Sequence, residues 1–186
     1  MRELVVVAVA LALAAGGCGG DNGSDPAVSS QVQFDLAFID AMVPHHRSAI
    51  EMAEAAKTRG LTQPELAKIA NDIISSQRVE IDQMLDWREE WFGSRALGPV
   101  LPEVLGIPER ELGMEHGGDD VVGAADVDLR FAQLMIPHHK GAIAIAEAAD
   151  ERSQRDEIKN LALAIIEAQE REIDIMEKHA SGEHHG

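Results

Sequence analysis

Apolar residues recur every three to four positions over four long segments of the chain, a spacing typical of amphipathic helices. It predicts helices over residues 33–58, 64–92, 127–149 and 154–179. Gly60 and Gly93 stand where the first two helices should end, and Pro64 stands where the second should begin. Ala, Ile, Leu and Met fill the apolar positions, which favours an all-α fold.

The four segments form two similar pairs. Met42-Val-Pro-His-His in the first segment returns as Met135-Ile-Pro-His-His in the third, 93 positions later. Gln77-x-x-Glu-Ile-x-x-Met in the second returns from Gln169 in the fourth, with an offset of 92. The repeated unit is therefore a helical hairpin that cannot bury its apolar face alone.

Two such hairpins predict a four-helix bundle with approximate twofold symmetry over residues 33–180. Repeat one covers 33–92 and repeat two covers 127–180. Residues 93–126 between them are rich in Gly and Pro, so we expect a mostly irregular crossover with a short helical turn at 108–112.

On a helical wheel the two histidines of the first helix, His45 and His46, lie about 100° apart and straddle its apolar face. Asp40 falls on the opposite, polar side. Pro44 and Pro137 precede the paired histidines and predict a kink in each helix. Alternatively, each proline begins a helix as its first residue.

Two pairs of inward histidines beside methionines indicate a metal site, because His clusters are common metal ligands. Neutral imidazole together with thioether favours Cu(I), whereas thioether is a poor ligand for Zn, Mg, Ca or Mn. The alternative is that the histidines stabilise the core. The candidate ligands are Met42, His45, His46, Met135, His138 and His139.

Polar residues also interrupt the apolar faces of the second and fourth helices. They could form a hydrogen-bonded core network or orient the histidines around a metal. These residues are Gln77, Glu80, Gln169 and Glu172. Further candidate ligands are Met84 and Met176, for which core packing is an equal alternative, and Met114, His116, His179, His184 and His185. The last two lie in a His-containing tail, 181–186, which could simply be a polar terminus.

The N-terminal segment resembles an export signal. Residues 1–17 contain an eleven-residue apolar run, Val5 to Ala15, which is too short to span a bilayer and suits a signal peptide. The run ends in Gly-Gly-Cys18, which resembles a lipoprotein cleavage site where Cys18 receives the lipid. The alternative is an ordinary signal peptide cleaved elsewhere. Residues 18–32 then read as a lipidated Cys and a flexible tether.

Charge and cysteine content narrow the function further. The formal net charge is −17, which makes nucleic-acid binding improbable because phosphates would be repelled. The single cysteine excludes an intrachain disulfide. Because the chain begins with an export signal that ends at Cys18, we expect secretion across the cytoplasmic membrane and a lipid anchor at the cell envelope, on the periplasmic or outer face.

The duplicated motifs resemble the secreted bacterial domain-of-unknown-function family three-zero-five, which is grouped with the ferritin-like superfamily. The resemblance covers about residues 33–180. It implies a ferritin-like four-helix bundle and a role in copper handling, since some members are periplasmic copper-binding proteins. Members often carry two consecutive methionines before the histidine pair, whereas Ala41 and Leu134 occupy the first of these places here.

Three functions remain open. The first is copper binding for sequestration or for transfer to an unknown partner protein, without turnover. The second is a ferritin-like metallo-oxidase with a dinuclear site, although such sites usually need Glu-x-x-His and the predicted helices contain none. The third is a structural or interaction lipoprotein without metal.

Overall fold

The computed structural model describes residues 26–181, and the predicted all-α four-helix bundle is confirmed. The long helices are α1 (Pro26–Arg59), α2 (Pro64–Phe92), α5 (Val127–Arg152) and α6 (Asp156–Ala180). The crossover contains two short helices, α3 (Pro102–Leu105) and α4 (Asp119–Val122). Between these lies a single 3₁₀ turn (Glu109–Glu111), inside the range where a turn was predicted.

The clearest difference from the predicted boundaries is at the start of α1. The helix begins at Pro26, within the segment predicted to be a tether, and not near residue 33. Proline suits the first turn of a helix because its missing N–H would have no helical partner there. Pro44 and Pro137, in contrast, lie inside continuous helices, so neither begins a helix.

The core consists of two apolar clusters. The first cluster combines the N-terminal half of α1 and the C-terminal half of α2 with the C-terminal half of α5 and the N-terminal half of α6. The second cluster combines the other half of each helix. This arrangement requires α1 and α5 to run antiparallel, with one cluster at each end of the bundle. No helix among the described residues is long and apolar enough to cross a membrane.

The prediction that Asp40 lies on a polar face of α1 is wrong. Asp40 is only 4% exposed and accepts hydrogen bonds from Arg88 Nε at 2.7 Å and Nη2 at 3.3 Å. Arg88 also donates through Nη1 to the carbonyl of Ser94, at 2.6 Å. The crossover packs over the side of α1 that would otherwise meet solvent, and Gly98 lies directly against Asp40. A helix covered on every side buries its polar residues too, and these must then be paired.

An aspartate near the start of α1 and another near the start of α5 fasten the opposite hairpin. Asp128 accepts hydrogen bonds from the backbone N–H groups of Thr62 and Gln63, where α2 begins. Asp35, at the matching position of repeat one, pairs with Arg155 Nε at 3.3 Å, where α6 begins. The twofold relation therefore extends to the contacts that set the register of the hairpins.

Candidate metal centre

A layer of polar side chains separates the two apolar clusters. Each long helix changes from one cluster to the other at the polar residues of its repeated motif, with Ile50 and its counterpart Ile143 out of order. We call these eight side chains the polar belt: His45, His46, Gln77, Glu80, His138, His139, Gln169 and Glu172. The motif positions that the sequence singled out thus meet at the middle of the bundle.

Two histidines of the belt are each held by a glutamate from the partner helix of the same hairpin. Nε2 of His46 lies 2.7 Å from Oε2 of Glu80, and Nε2 of His139 lies 2.6 Å from Oε2 of Glu172. A carboxylate accepts, so each ring carries a hydrogen on Nε2, and in the neutral tautomer of this kind the lone pair is at Nδ1. Both Nδ1 atoms are buried without a hydrogen-bond partner.

The other two histidines meet at the twofold axis. The ring centroids of His45 and His138 are 3.8 Å apart, with the ring planes tilted by 50°. Nε2 of His45 donates to the carbonyl of Leu112 at 2.9 Å, which leaves its Nδ1 lone pair unpaired and buried. Neither ring nitrogen of His138 has a partner. The two halves of the repeat therefore form one centre, and the centre is asymmetric.

The central pair is held in the neutral form. Burial lowers the pKa of His45 to about 3, with a further contribution from neighbouring His46, while the Leu112 carbonyl acts in the opposite direction. Burial, followed by the proximity of His45, also lowers the pKa of His138 well below its ordinary value. Neutral imidazole is the form that binds metals, so these rings need release no proton before binding.

The asymmetry comes from the crossover, which lies against α5 beside the central pair. A side chain at Gly141 would collide with the backbone carbonyl of Leu112, and one at Gly113 would lie 2.7 Å from the carbonyl of Pro137. Gly113 also has φ +68°, a left-handed conformation that glycine adopts without strain. Two glycines thus let backbone pack on backbone, which brings the Leu112 carbonyl within reach of His45.

The donor set of the belt suits a late transition metal. Buried polar atoms normally have hydrogen-bond partners, yet all four imidazoles carry at least one unpaired nitrogen, and Oε1 is unpaired in both Gln77 and Gln169. Imidazole nitrogen binds Zn, Cu, Fe and Ni. Within residues 26–181, no group of three or more His, Cys, Asp or Glu side chains is positioned to hold a metal ion as the side chains stand. Holding one would require the closely packed rings to turn.

The candidate methionines flank the belt on both sides. Met42 and Met84 are fully buried in the first cluster, whereas Met135 and Met176 are fully buried in the second. Each cluster therefore contains two of the four candidate methionines, all on the helices that carry the belt. Met52, which has no methionine counterpart in repeat two, is also fully buried in the second cluster.

The remaining candidates lie away from the belt or outside the described residues. Met114 packs against the first cluster, and the half-exposed His116 places Nδ1 3.5 Å from Oδ2 of Asp120. His179, near the end of α6, lies 2.9 Å from Oε2 of Glu65. His184, His185, Cys18 and the signal peptide 1–17 fall outside the described residues.

Sequence reasoning missed the crossover's part in the site. It gave no role to Leu112, Gly113 or Gly141. Every residue has a main-chain carbonyl, so the sequence does not show which carbonyl makes a contact. One signal was available: Gly141 occupies the position that Ser48 holds in repeat one, and Ser48 donates to the carbonyl of His116 at 2.8 Å. Small residues two positions after each pair of histidines mark where the crossover passes.

Several solved structures of other proteins are similar to this chain in both sequence and fold. CopM in its Cu(II)-bound form is 34% identical, with 80% of this chain and 96% of that chain covered at a TM-score of 0.66. CopM structures in Cu(I)-bound and Ag-bound forms match at similar levels. A DUF305 protein from Streptomyces coelicolor is 26% identical over 77% of this chain and 89% of its own, at a TM-score of 0.69.

A DUF305 fragment from Deinococcus radiodurans is 28% identical, covering 80% of this chain and 95% of that chain at a TM-score of 0.66. No curated protein shows significant similarity. The profile of the domain of unknown function DUF305 matches residues 35–180, which include most of α1 and all of α2, the crossover, α5 and α6. The chain therefore belongs to the DUF305 family, as the duplicated histidine motifs indicated.

Proposed function

We propose that this protein binds copper at the polar belt, and that it sequesters the metal or passes it to another protein. The observation that carries the proposal is the pair of buried, neutral imidazoles of His45 and His138 at the meeting point of the two repeats, both with unpaired nitrogens. The buried Nδ1 atoms of His46 and His139 are unpaired as well. It is supported by the copper-bound and silver-bound forms of CopM, a relative of the same fold.

In this proposal His45 and His138 are the central ligands, and His46 and His139 add nitrogens held in position by Glu80 and Glu172. Metal–imidazole bonds are about 2.0 Å long. Rings with centroids 3.8 Å apart must therefore separate or turn to place an ion between their nitrogens. Thioethers of Met42 and Met135 would complete a coordination sphere that favours Cu(I) over harder ions.

A dinuclear ferritin-like oxidase is the second candidate function. Such centres use carboxylates as bridging ligands between two metals. In this belt Glu80 and Glu172 hold histidines through hydrogen bonds, one in each hairpin. The arrangement favours binding over oxygen activation, and oxygen consumption after addition of Fe(II) distinguishes the two.

The third candidate, a structural or interaction lipoprotein without metal, would need the belt only for stability. A structural polar layer is expected to satisfy its own hydrogen bonds. The unpaired nitrogens of all four histidines favour metal binding over this alternative.

We further propose that the protein is secreted and held at the cell envelope by a lipid on Cys18. This rests on the apolar run ending in Gly-Gly-Cys18 and on the provisional description of the Streptomyces coelicolor relative as a secreted protein. Cys18→Ala should release the protein from the membrane fraction, and mass spectrometry of the wild type should show a lipid at residue 18. A wild-type chain that starts at another residue and lacks the lipid would contradict the anchor.

The copper proposal is tested by removing the central pair. In the His45→Ala/His138→Ala variant we expect copper affinity to fall by more than about 100-fold, because changing mere partners of metal ligands already reduces it 10–100-fold. The helical content should persist, since both apolar clusters remain. Anaerobic Cu(I) titration measures the affinity, and circular dichroism checks the helices.

The matched control is His116→Ala/His179→Ala, which also removes two histidines but leaves the belt intact. It should bind copper as the wild type does. If the belt variant kept wild-type affinity, or if the control lost as much as the belt variant, the belt would not be the copper site. Thermal unfolding of both variants shows whether a loss of binding reflects a loss of fold.

A further inference from the structure

The polar belt is closed to solvent except at its two glutamates. The four histidine side chains are at most 1% exposed and the two glutamines 3%, whereas Glu80 is 20% and Glu172 16% exposed. Each carboxylate therefore contacts a buried imidazole on one side and water on the other. An ion that approaches the belt from solvent past either glutamate therefore meets a carboxylate first.

Glu172 also lines a groove on the surface. The groove lies between α2 and α6, has a volume of about 440 Å³, and contains the carboxylates of Glu65 and Asp72 beside that of Glu172. Lys68 and Arg171 lie on its walls, and Lys68 is paired with Asp72. A cation in this groove thus reaches Glu172, whose Oε2 is already 2.6 Å from Nε2 of His139.

Two buried atoms without partners belong to neighbours of Glu172. Oε1 of Gln169, one helical turn before Glu172 on α6, is unpaired, and so is Nδ1 of His139. The first is an oxygen donor and the second a nitrogen donor, and copper binds both types of ligand. Acidic residues alone would mark only a solvated groove, but here one lining carboxylate contacts a buried imidazole whose Nδ1 is unpaired.

We propose that the groove between α2 and α6 is the route by which copper ions enter and leave the belt, and that Glu172 binds the ion in transit. This inference rests on the proposed copper-binding function and adds the path to it. Glu172 holds the ion through its solvent-facing side and passes it inward to the unpaired donors. His139 keeps its hydrogen on Nε2 throughout, so no proton is transferred in the step.

The test is the Glu172→Gln variant, which keeps an oxygen to accept from His139 but lacks the charge. A residue on the path affects uptake and release alike, because the ion leaves by the way it entered. We therefore expect both rates to fall by a similar factor, roughly tenfold, the lower end of what charge contributes to ion association. Because the amide oxygen still accepts from Nε2 of His139, the affinity should change by less than the roughly 10–100-fold that loss of a ligand's partner produces. Glu170→Gln, an exposed glutamate on the same helix outside the groove, is the matched control and should keep wild-type rates.

Anaerobic stopped-flow mixing with Cu(I), supplied as its acetonitrile complex and followed by tryptophan fluorescence, gives the uptake rate, and transfer to excess Cu(I) chelator gives the release rate. Unchanged uptake by Glu172→Gln would overturn the route and leave the copper site standing. Weaker affinity with faster release would also overturn it, because Glu172 would then act as a ligand or as a positioning residue for His139. Absence of copper binding by the wild type would instead refute the proposed function and the route with it.

Discussion

Gly141→Ala is the substitution that most directly tests how the crossover packs on the candidate metal centre. A Cβ at this position would collide with the carbonyl of Leu112 and lie 2.8 Å from the backbone nitrogen of Gly113. Backbone atoms cannot rotate away as a flexible side chain can. The crossover must therefore move off α5, and His45 then loses the acceptor that lies 2.9 Å from its Nε2.

Two penalties and one gain set the size of the effect. Overpacking in a well-packed region costs about 1–3 kcal/mol, and a buried N–H left without an acceptor costs about 1–3 kcal/mol. Alanine is favoured over glycine inside a helix by about 1 kcal/mol. Together these predict that the free energy of unfolding of the metal-free protein falls by about 1–5 kcal/mol.

Gly123→Ala is the matched control. This glycine has φ −82° and no atom within 4 Å of the position that a Cβ would take. The same substitution there should leave stability unchanged or raise it by about 0.4–1 kcal/mol, because alanine restricts the unfolded chain. Urea unfolding followed by circular dichroism compares the two variants with the wild type. If Gly141→Ala were as stable as Gly123→Ala, the crossover would not lie on α5 as described.

Two further predictions concern buried charges outside the belt. Arg88→Met should lower the free energy of unfolding by about 3–5 kcal/mol, because it leaves Asp40 buried without its partner; the Asp40→Ala/Arg88→Met double variant should recover part of this in urea unfolding, and equal loss in both would contradict the pairing. Burial raises the pKa of Asp35 despite Ser153 and Arg155, so its contribution to stability is lost as pH rises through the folded-state pKa. The wild type should therefore gain stability relative to Asp35→Asn as pH falls from about 7 to about 4, and a pH-independent difference would refute the assignment.

The sequence predicted the repeated elements well because their signal is local. Periodicity and the duplicated motifs indicate which residues share a helical face, and adjacent hairpins leave one compact way to bury those faces. Glu80 and Glu172 could be expected near histidines for the same reason, since each interrupts an apolar stripe facing the helix that carries the pair. The two His–Glu contacts, at 2.7 and 2.6 Å, correspond because their residues occupy the same motif positions in the two repeats.

What the sequence could not predict depends on the crossover, whose path has no periodic signal. The helical wheel of α1 predicts a solvent-exposed Asp40 because it assumes that one side of the helix is exposed. The crossover covers that side, and the burial of Asp40 is matched by Arg88, 48 positions later. The Leu112 carbonyl next to His45 belongs to the same class of contact: it depends on where a loop lies and not on which side chains the loop carries.

The asymmetry that the crossover introduces bears on how the centre could work. Related repeats would give His45 and His138 the same surroundings, yet His45 donates to Leu112 whereas both nitrogens of His138 are unpaired. An ion that binds His138 breaks no existing hydrogen bond there, while turning the ring of His45 would cost its bond to the crossover. If the proposed copper site is right, His138 is the easier first ligand, and recruiting His45 as the second loosens the crossover. Proteolysis of the crossover, compared between metal-free and copper-loaded protein, would detect this coupling as faster cleavage on loading, and equal or slower cleavage would exclude it.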